Sequence, residues 1–179
     1  VDPTIVMADD HAVVRHGVRQ VVEELHPAAT IIEVDDGLKA IAAVKTHRPQ
    51  LLIVDAAMPF AKGIEVMADA RRWSPETAIV LLTGFTAGAI LSDWIQADVE
   101  GSLLKTCAPD EMRAGLETVL AGGRFVCAEA EERIAAEVER TPLTNREREV
   151  LSLIATGHQN DAKAERLSIS KRTEEKHRA

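Results

Sequence analysis

Apolar residues in this chain follow two alternating patterns: short, largely apolar runs, and longer stretches in which they recur every three or four positions. The runs are Thr4–Met7, Ile31–Val34, Leu51–Val54, Ala78–Leu82 and Ser102–Leu104. Leu51–Val54, a run without polar alternation, suits a central parallel strand covered on both faces. Between the runs, Val14, Val18, Val21, Val22 and Leu25 fall on one helical stripe, as do Leu38, Ile41, Ala42 and Val44. Val66, Met67 and Ala70 mark a third helix near Glu65–Trp73, and an apolar segment near Ala89–Ala97 marks a fourth. Pro109 opens a fifth that runs to about Ala121. Five strands alternating with five helices predict an α/β fold with a doubly wound, five-stranded parallel sheet.

The pattern changes after Gly122 and Gly123, which stop the last of these helices. Residues 122–141 are rich in charge and sparse in apolar positions, and read as a linker with some helix. Thr141 and Pro142 mark a second boundary. Thr144 followed by Glu147 forms a capping box, and Val150, Leu151, Leu153 and Ile154 supply a buried face that ends at Gly157. Asn160 caps a second helix ending at Leu167, and Ser170 caps a third from Lys171 onward. A small all-α helix-turn-helix unit over residues 142–179 is therefore expected behind an α/β domain over residues 1–121.

Composition sharpens the picture. With 46% hydrophobic residues, 3% aromatics and no Tyr, the core has to be built from Val, Ile, Leu and Ala. The longest apolar runs are far short of a membrane span and the start lacks a basic leader, so no membrane association and a cytoplasmic location are expected. Cys107 and Cys127 lack metal spacing and read as reduced thiols. The six histidines form no helical metal pair, which argues against zinc. The net charge of −8 is unevenly shared: residues 1–140 hold 13 Lys and Arg against 23 Asp and Glu, and residues 141–179 hold 8 against 6. An acidic front and a mildly basic tail imply modules with different partners.

The candidate chemistry sits at the strand ends. Asp9 and Asp10 follow the first strand, Asp55 the third, Thr83 the fourth and Lys105 the fifth. In a parallel sheet these ends share one edge, where ligands gather. Clustered carboxylates repel and resist full ionisation unless a cation joins them, and Mg2+ suits an oxygen-only site. A phosphoryl group arriving at Asp55 would meet a cation, the Lys105 ammonium and the Thr83 hydroxyl, which is a site for an aspartyl phosphate. Each group taken alone reads equally as a turn or helix cap. Asp35 and Asp36 read as helix caps, His11 as a surface residue beside the acidic pocket, and Phe60 and Phe85 as either lid or packing.

Residues 1–121 resemble the receiver domain of bacterial two-component response regulators. The resemblance rests on Asp9-Asp10, the stretch DAAMPFAKG from Asp55 to Gly63, Thr83 before Gly84, and Leu103-Leu104-Lys105. It implies a phosphorelay in which Asp55 accepts phosphate from a sensor histidine kinase. It also implies that Asp10, Asp55 and the backbone carbonyl of Ala57 hold Mg2+, with Asp9 assisting through water. Thr83 and Lys105 would contact the phosphoryl group and report it. One departure is Ser102, where the family carries a switching aromatic three residues before its lysine.

Residues 142–179 resemble the helix-turn-helix output domain of LuxR-type regulators in the NarL/FixJ group. Leu143-Thr144 with REREVLSLIATG carries the match, and Lys163 and Glu174 depart from it at aliphatic positions. Those two residues either pair with each other or both face solvent. The sequence stops before the family's fourth helix, and from Lys171 to Ala179 the only nonpolar side chain is Ala179, so a recognition helix there is expected to have little to bury. Lys171, Arg172, Thr173, Glu175, Lys176, His177 and Arg178 are the groups expected to face promoter DNA. The leading expectation is a transcription regulator that is not an enzyme and dimerises when phosphorylated. The alternative is a receiver acting through protein contacts with an impaired or truncated DNA-binding tail. A phosphatase would carry a second acid at position 57, where Ala57 stands.

Overall fold

Leu51–Asp55 form a strand in which every residue is buried, the aspartate included. The computed structural model describes residues 2–84 and 98–132 of the chain, and builds the rest of the sheet on both sides of this strand. In chain order the elements are β1 (Thr4–Ala8), α1 (Ala12–Leu25), β2 (Thr30–Val34), α2 (Gly37–His47), β3 (Leu51–Asp55), α3 (Gly63–Trp73), β4 (Ala78–Thr83), β5 (Gly101–Leu104), α4 (Pro109–Leu120) and β6 (Phe125–Val126). The helix expected near residues 89–97, Phe85 and the whole segment from 133 onward lie outside the described residues.

All strands are parallel, in the order β2-β1-β3-β4-β5-β6. Alternate residues of each central strand feed two cores. Ile5, Met7, Leu51, Ile53, Val80, Leu82 and Leu103 meet Val18, Val21 and Val22 of α1 and Met112, Leu116 and Val119 of α4. Val6, Leu52, Val54, Ile79 and Leu81 meet Ala40, Ala43 and Val44 of α2 and Val66, Met67 and Ala70 of α3. This two-sided coverage is the physical reason the strands read as largely apolar runs. No helix among the described residues is long and apolar enough to cross a membrane.

Among the described residues the sheet has six strands rather than the five expected. Phe125 and Val126, which the sequence reading assigned to the linker, pair in parallel with Gly101 and Ser102. Phe125 donates its amide to Glu100 O (3.0 Å) and Cys127 to Ser102 O (3.2 Å). The Phe125 ring occupies space left by a missing side chain: a Cβ on Gly115 would stand 2.6 Å from it. A two-residue strand after a Gly-Gly pair carries no periodicity, so only tertiary contact reveals it. Both cysteines are free thiols, Cys127 buried and Cys107 half-buried.

Candidate functional site

The sheet's strand order reverses around β1, whose neighbours are β2 on one side and β3 on the other. Such a reversal opens a crevice at the carboxyl ends of the strands. Ala8 pairs with Val54, which sets Asp9 and Asp55 at one level at the carboxyl edge of the sheet. Asp55 pairs with Leu82 and Leu82 with Leu103, so Thr83 stands one residue beyond that level and Lys105 two beyond. The lysine is long enough to reach back. Its Nζ lies 2.8 Å from Asp9 Oδ2 and 2.8 Å from Asp55 Oδ2.

This trio is largely dry, with side-chain exposures of 4% for Asp9, 2% for Asp55 and 14% for Lys105. Two carboxylates against one ammonium leave a net negative charge where water screens little. Burial pushes the Asp55 carboxyl above its ordinary value and the neighbouring Asp9 charge adds to this; Lys105 and the Ala57 amide oppose it without cancelling it. Lys105 moves up as well: burial works against its charge, and the hydrogen bonds to Asp55 and Asp9 outweigh burial.

The loop after β3 presents Asp55 by a close approach. The Ala57 amide donates to Asp55 Oδ1 at 3.2 Å. Gly63 donates to Ala56 O at 3.1 Å, and a Cβ at Gly63 would stand 2.6 Å from the Asp55 carbonyl oxygen. Phe60, in the same loop, has φ +67° and is 82% exposed, so it packs on little among the described residues.

Asp10 lies at the rim, its side chain 35% exposed. His11 beside it was read from sequence as a surface residue. It is exposed, yet its Nδ1 lies 2.8 Å from Asp10 Oδ1, 3.2 Å from Asp9 Oδ1 and 3.4 Å from Lys105 Nζ, and its amide donates to Asp9 Oδ1 at 2.7 Å. Its position directly after two aspartates was the only sequence signal for this. One ligand atom from each of Asp9, Asp10, His11 and Asp55 falls within 4.8 Å of the others, a donor set compatible with a divalent cation.

Thr83 is buried at the same edge, and its hydroxyl donates to Gly84 O at 2.8 Å. Ser102 is 1% exposed, level with Leu81, and its Oγ has no partner among the described residues. Asp36 caps α2 by accepting from the Lys39 amide at 2.8 Å, while Asp35 pairs with the Lys39 ammonium at 2.5 Å. Lys171, Arg172, Thr173, Glu175, Lys176, His177 and Arg178, with Lys163 and Glu174, lie outside the described residues.

The sequence matches the response regulator receiver domain family over residues 5–117 and the luxR family of bacterial regulatory proteins over residues 141–179. Among curated relatives, it is 33% identical to the transcriptional regulatory protein YxjL of Bacillus subtilis, covering 97% of this chain and 84% of the relative. It is 30% identical to the transcriptional regulatory protein UhpA of Salmonella typhimurium, over 98% and 88% respectively. Of solved structures, the receiver domain of RcsB from Salmonella enterica serovar Typhimurium with a phosphomimetic aligns with TM-score 0.66 at 27% identity, covering 74% of this chain and 99% of that one. A structure of two RcsB dimers on two parallel DNAs aligns with TM-score 0.68 at 28% identity, over 94% and 84%. The chain belongs to the response regulator family, with a receiver domain followed by a LuxR-type DNA-binding domain.

Proposed function

We propose that Asp55 is the phosphoacceptor of this response regulator and that its occupancy controls promoter binding by the LuxR-type domain. The observation that carries the reading is the Lys105 ammonium held 2.8 Å from both Asp9 and Asp55 at the strand-end crevice. A carboxylate oxygen of Asp55 attacks the phosphorus of a phosphohistidine on a sensor kinase. The P–N bond breaks, its electron pair stays with the imidazole, and an acyl phosphate remains on Asp55. Lys105 is placed to follow the new phosphoryl charge, and the Thr83 hydroxyl to exchange the Gly84 carbonyl for a phosphoryl oxygen.

The residues present fit Mg2+: three carboxylates crowd the crevice, against one buried ammonium. Asp10, Asp55 and the Ala57 carbonyl would hold it, with Asp9 through water. When bound it supplies charge neutralisation for the phosphoryl oxygens. Asp9 and Asp55 share the lysine and so remain acceptors; the Ala57 amide orients the Asp55 carboxylate. Ser102 provides no ring to follow Thr83, so the Thr83 hydroxyl and Lys105 carry the report themselves. DNA-bound dimers among structural relatives support a dimer on promoter DNA, with residues 171–178 facing it. A cytoplasmic setting and a receiver over residues 1–121 complete the reading, and turnover of a separate substrate is no part of it.

The test is DNA anisotropy across a salt series, with and without a small acyl-phosphate donor and Mg2+. Binding that weakens with salt and tightens with the donor is expected, with the donor effect absent in Asp55→Asn. Phosphate uptake at Asp55 that leaves DNA affinity unchanged would overturn the control role.

A further inference from the structure

Eleven lysines and arginines lie in the described residues, and seven of them are ion-paired: Arg15, Arg19, Lys39, Arg71, Lys105, Arg113 and Arg124. The other four, Lys45, Arg48, Lys62 and Arg72, have no carboxylate partner among the described residues. In a region as acidic as this one, cations without a carboxylate are conspicuous. Two of these four, Lys45 and Arg72, gather at a single place, where the carboxyl-terminal ends of α2 and α3 lie side by side. Trp73 stands among them with 42% of its surface exposed. Lys45 Nζ lies 4.2 Å from the centre of its ring and the Arg72 guanidinium carbon 5.3 Å.

Helix dipoles favour cations at helix carboxyl ends, which accounts for some of this clustering. They do not account for an exposed indole with two cations within cation–π range. The ground beneath the cluster is fixed. Thr77, 1% exposed, donates its hydroxyl to Pro49 O at 2.7 Å and contacts Ser74 Oγ at 2.8 Å, tying the loop after α2 to the loop after α3. Arg71 is clamped by Thr77 O at 2.9 Å and the Glu100 carboxylate at 2.7 Å. A rigid platform carrying Trp and Arg is what protein interfaces concentrate their binding energy on, because little ordering remains to be done.

We propose that Lys45, Arg72 and Trp73 form a docking surface for a carboxylate-rich segment of a partner protein that inserts one apolar side chain against the indole. Charge complementarity names the class of occupant. A nucleic acid would run beyond the cluster across a region holding 13 cationic against 23 acidic residues, whereas a short acidic segment meets only the local positive field. Glu76 is the exposed acid nearest in sequence, and it pairs with none of the cluster. The surface lies at the amino-terminal edge of β3 and β4, the opposite pole from Asp55, so a partner held there leaves the phosphoacceptor crevice open. Docking is therefore independent of phosphorylation.

The experiment uses the full chain with Trp94→Phe, which leaves Trp73 as the sole tryptophan. Its emission is followed while a glutamate-rich peptide with one central leucine is added, with a lysine-rich peptide and a DNA duplex as controls. A saturable change with the acidic peptide alone is expected, weakened by salt and unaltered in Asp55→Asn or by an acyl-phosphate donor. Lys45→Ala and Arg72→Ala should each weaken it about fivefold, and the double charge reversal Lys45→Glu/Arg72→Glu should abolish it while the circular dichroism melt stays unchanged. No saturable change, an equal response to the lysine-rich peptide or to DNA, or a change that tracks self-association in sedimentation would overturn the proposal. Loss in Asp55→Asn would overturn independence from the phosphoacceptor.

Discussion

Lys105 compensates two buried carboxylates at once, so its removal costs more than that of an ordinary ion-pair partner. Lys105→Met is expected to lower stability at neutral pH by about 3–5 kcal/mol in urea unfolding, because Asp9 and Asp55 are left buried and opposed. The loss should shrink in acid, as Asp55 takes up a proton. The native lysine's own contribution has the opposite pH sense. Its folded value lies above 10.5, so its stabilisation is fully present below that pH and is lost as pH rises through the raised value. Phe60 offers a second residue-level test. A bulky residue at φ +67° carries backbone strain, and one that is 82% exposed returns little packing for it. Phe60→Asn is expected to raise the urea midpoint by an amount worth roughly 0.5–1 kcal/mol, since asparagine tolerates the left-handed region.

At the scale of elements, the turn from β3 into α3 holds Asp55 in place. A Cβ at Gly63 would meet the Asp55 carbonyl oxygen at 2.6 Å and Ala56 Cα at 2.9 Å, both of them backbone atoms that cannot rotate aside. Gly63→Ala should therefore cost about 1–3 kcal/mol and slow phosphate uptake from a small donor, read by phosphorus NMR or mass spectrometry. The turn from β5 into α4 carries Cys107, whose thiol burial pushes up to about 12. An unfolded cysteine gives up its proton near 9, so folding favours the protonated thiol, and this contribution is lost as pH rises from 9 towards 12. Alkylation at pH 9 should be much slower for Cys107 in the folded chain than in urea.

The same elements show what the sequence made legible. Buried parallel strands must be apolar on both faces and must end abruptly where the sheet ends, so Asp9, Asp55, Thr83 and Lys105 stood out as polar residues closing apolar runs. Local chemistry could not show that Lys105 bridges two carboxylates, because that depends on register across four strands, β1, β3, β4 and β5. Nor could it show that His11 turns into the crevice. Phe125 and Val126 escaped because two residues have no period, and the cluster around Trp73 because α2 and α3 become neighbours only in the folded sheet.

For the whole molecule, opposite poles of the receiver carry separate chemistry. The crevice of Asp55, the proposed phosphoacceptor, lies at the carboxyl edge of the sheet and the cationic cluster at the amino edge. Lys45→Glu/Arg72→Glu is accordingly expected to leave donor-dependent DNA binding unchanged in anisotropy, while Lys105→Met abolishes the donor effect. The sixth strand has a consequence at this scale too. Counted from Val126 rather than Ala121, the chain running to the start of the LuxR-family match at residue 141 is five residues shorter. At roughly 3.3–3.6 Å per extended residue, that takes about 17 Å off the greatest possible reach. Residues 128–132 are helical and advance only about 1.5 Å each, which trims it further. A strand of two residues thus sets the ceiling on how far the DNA-binding end can stand from the sheet.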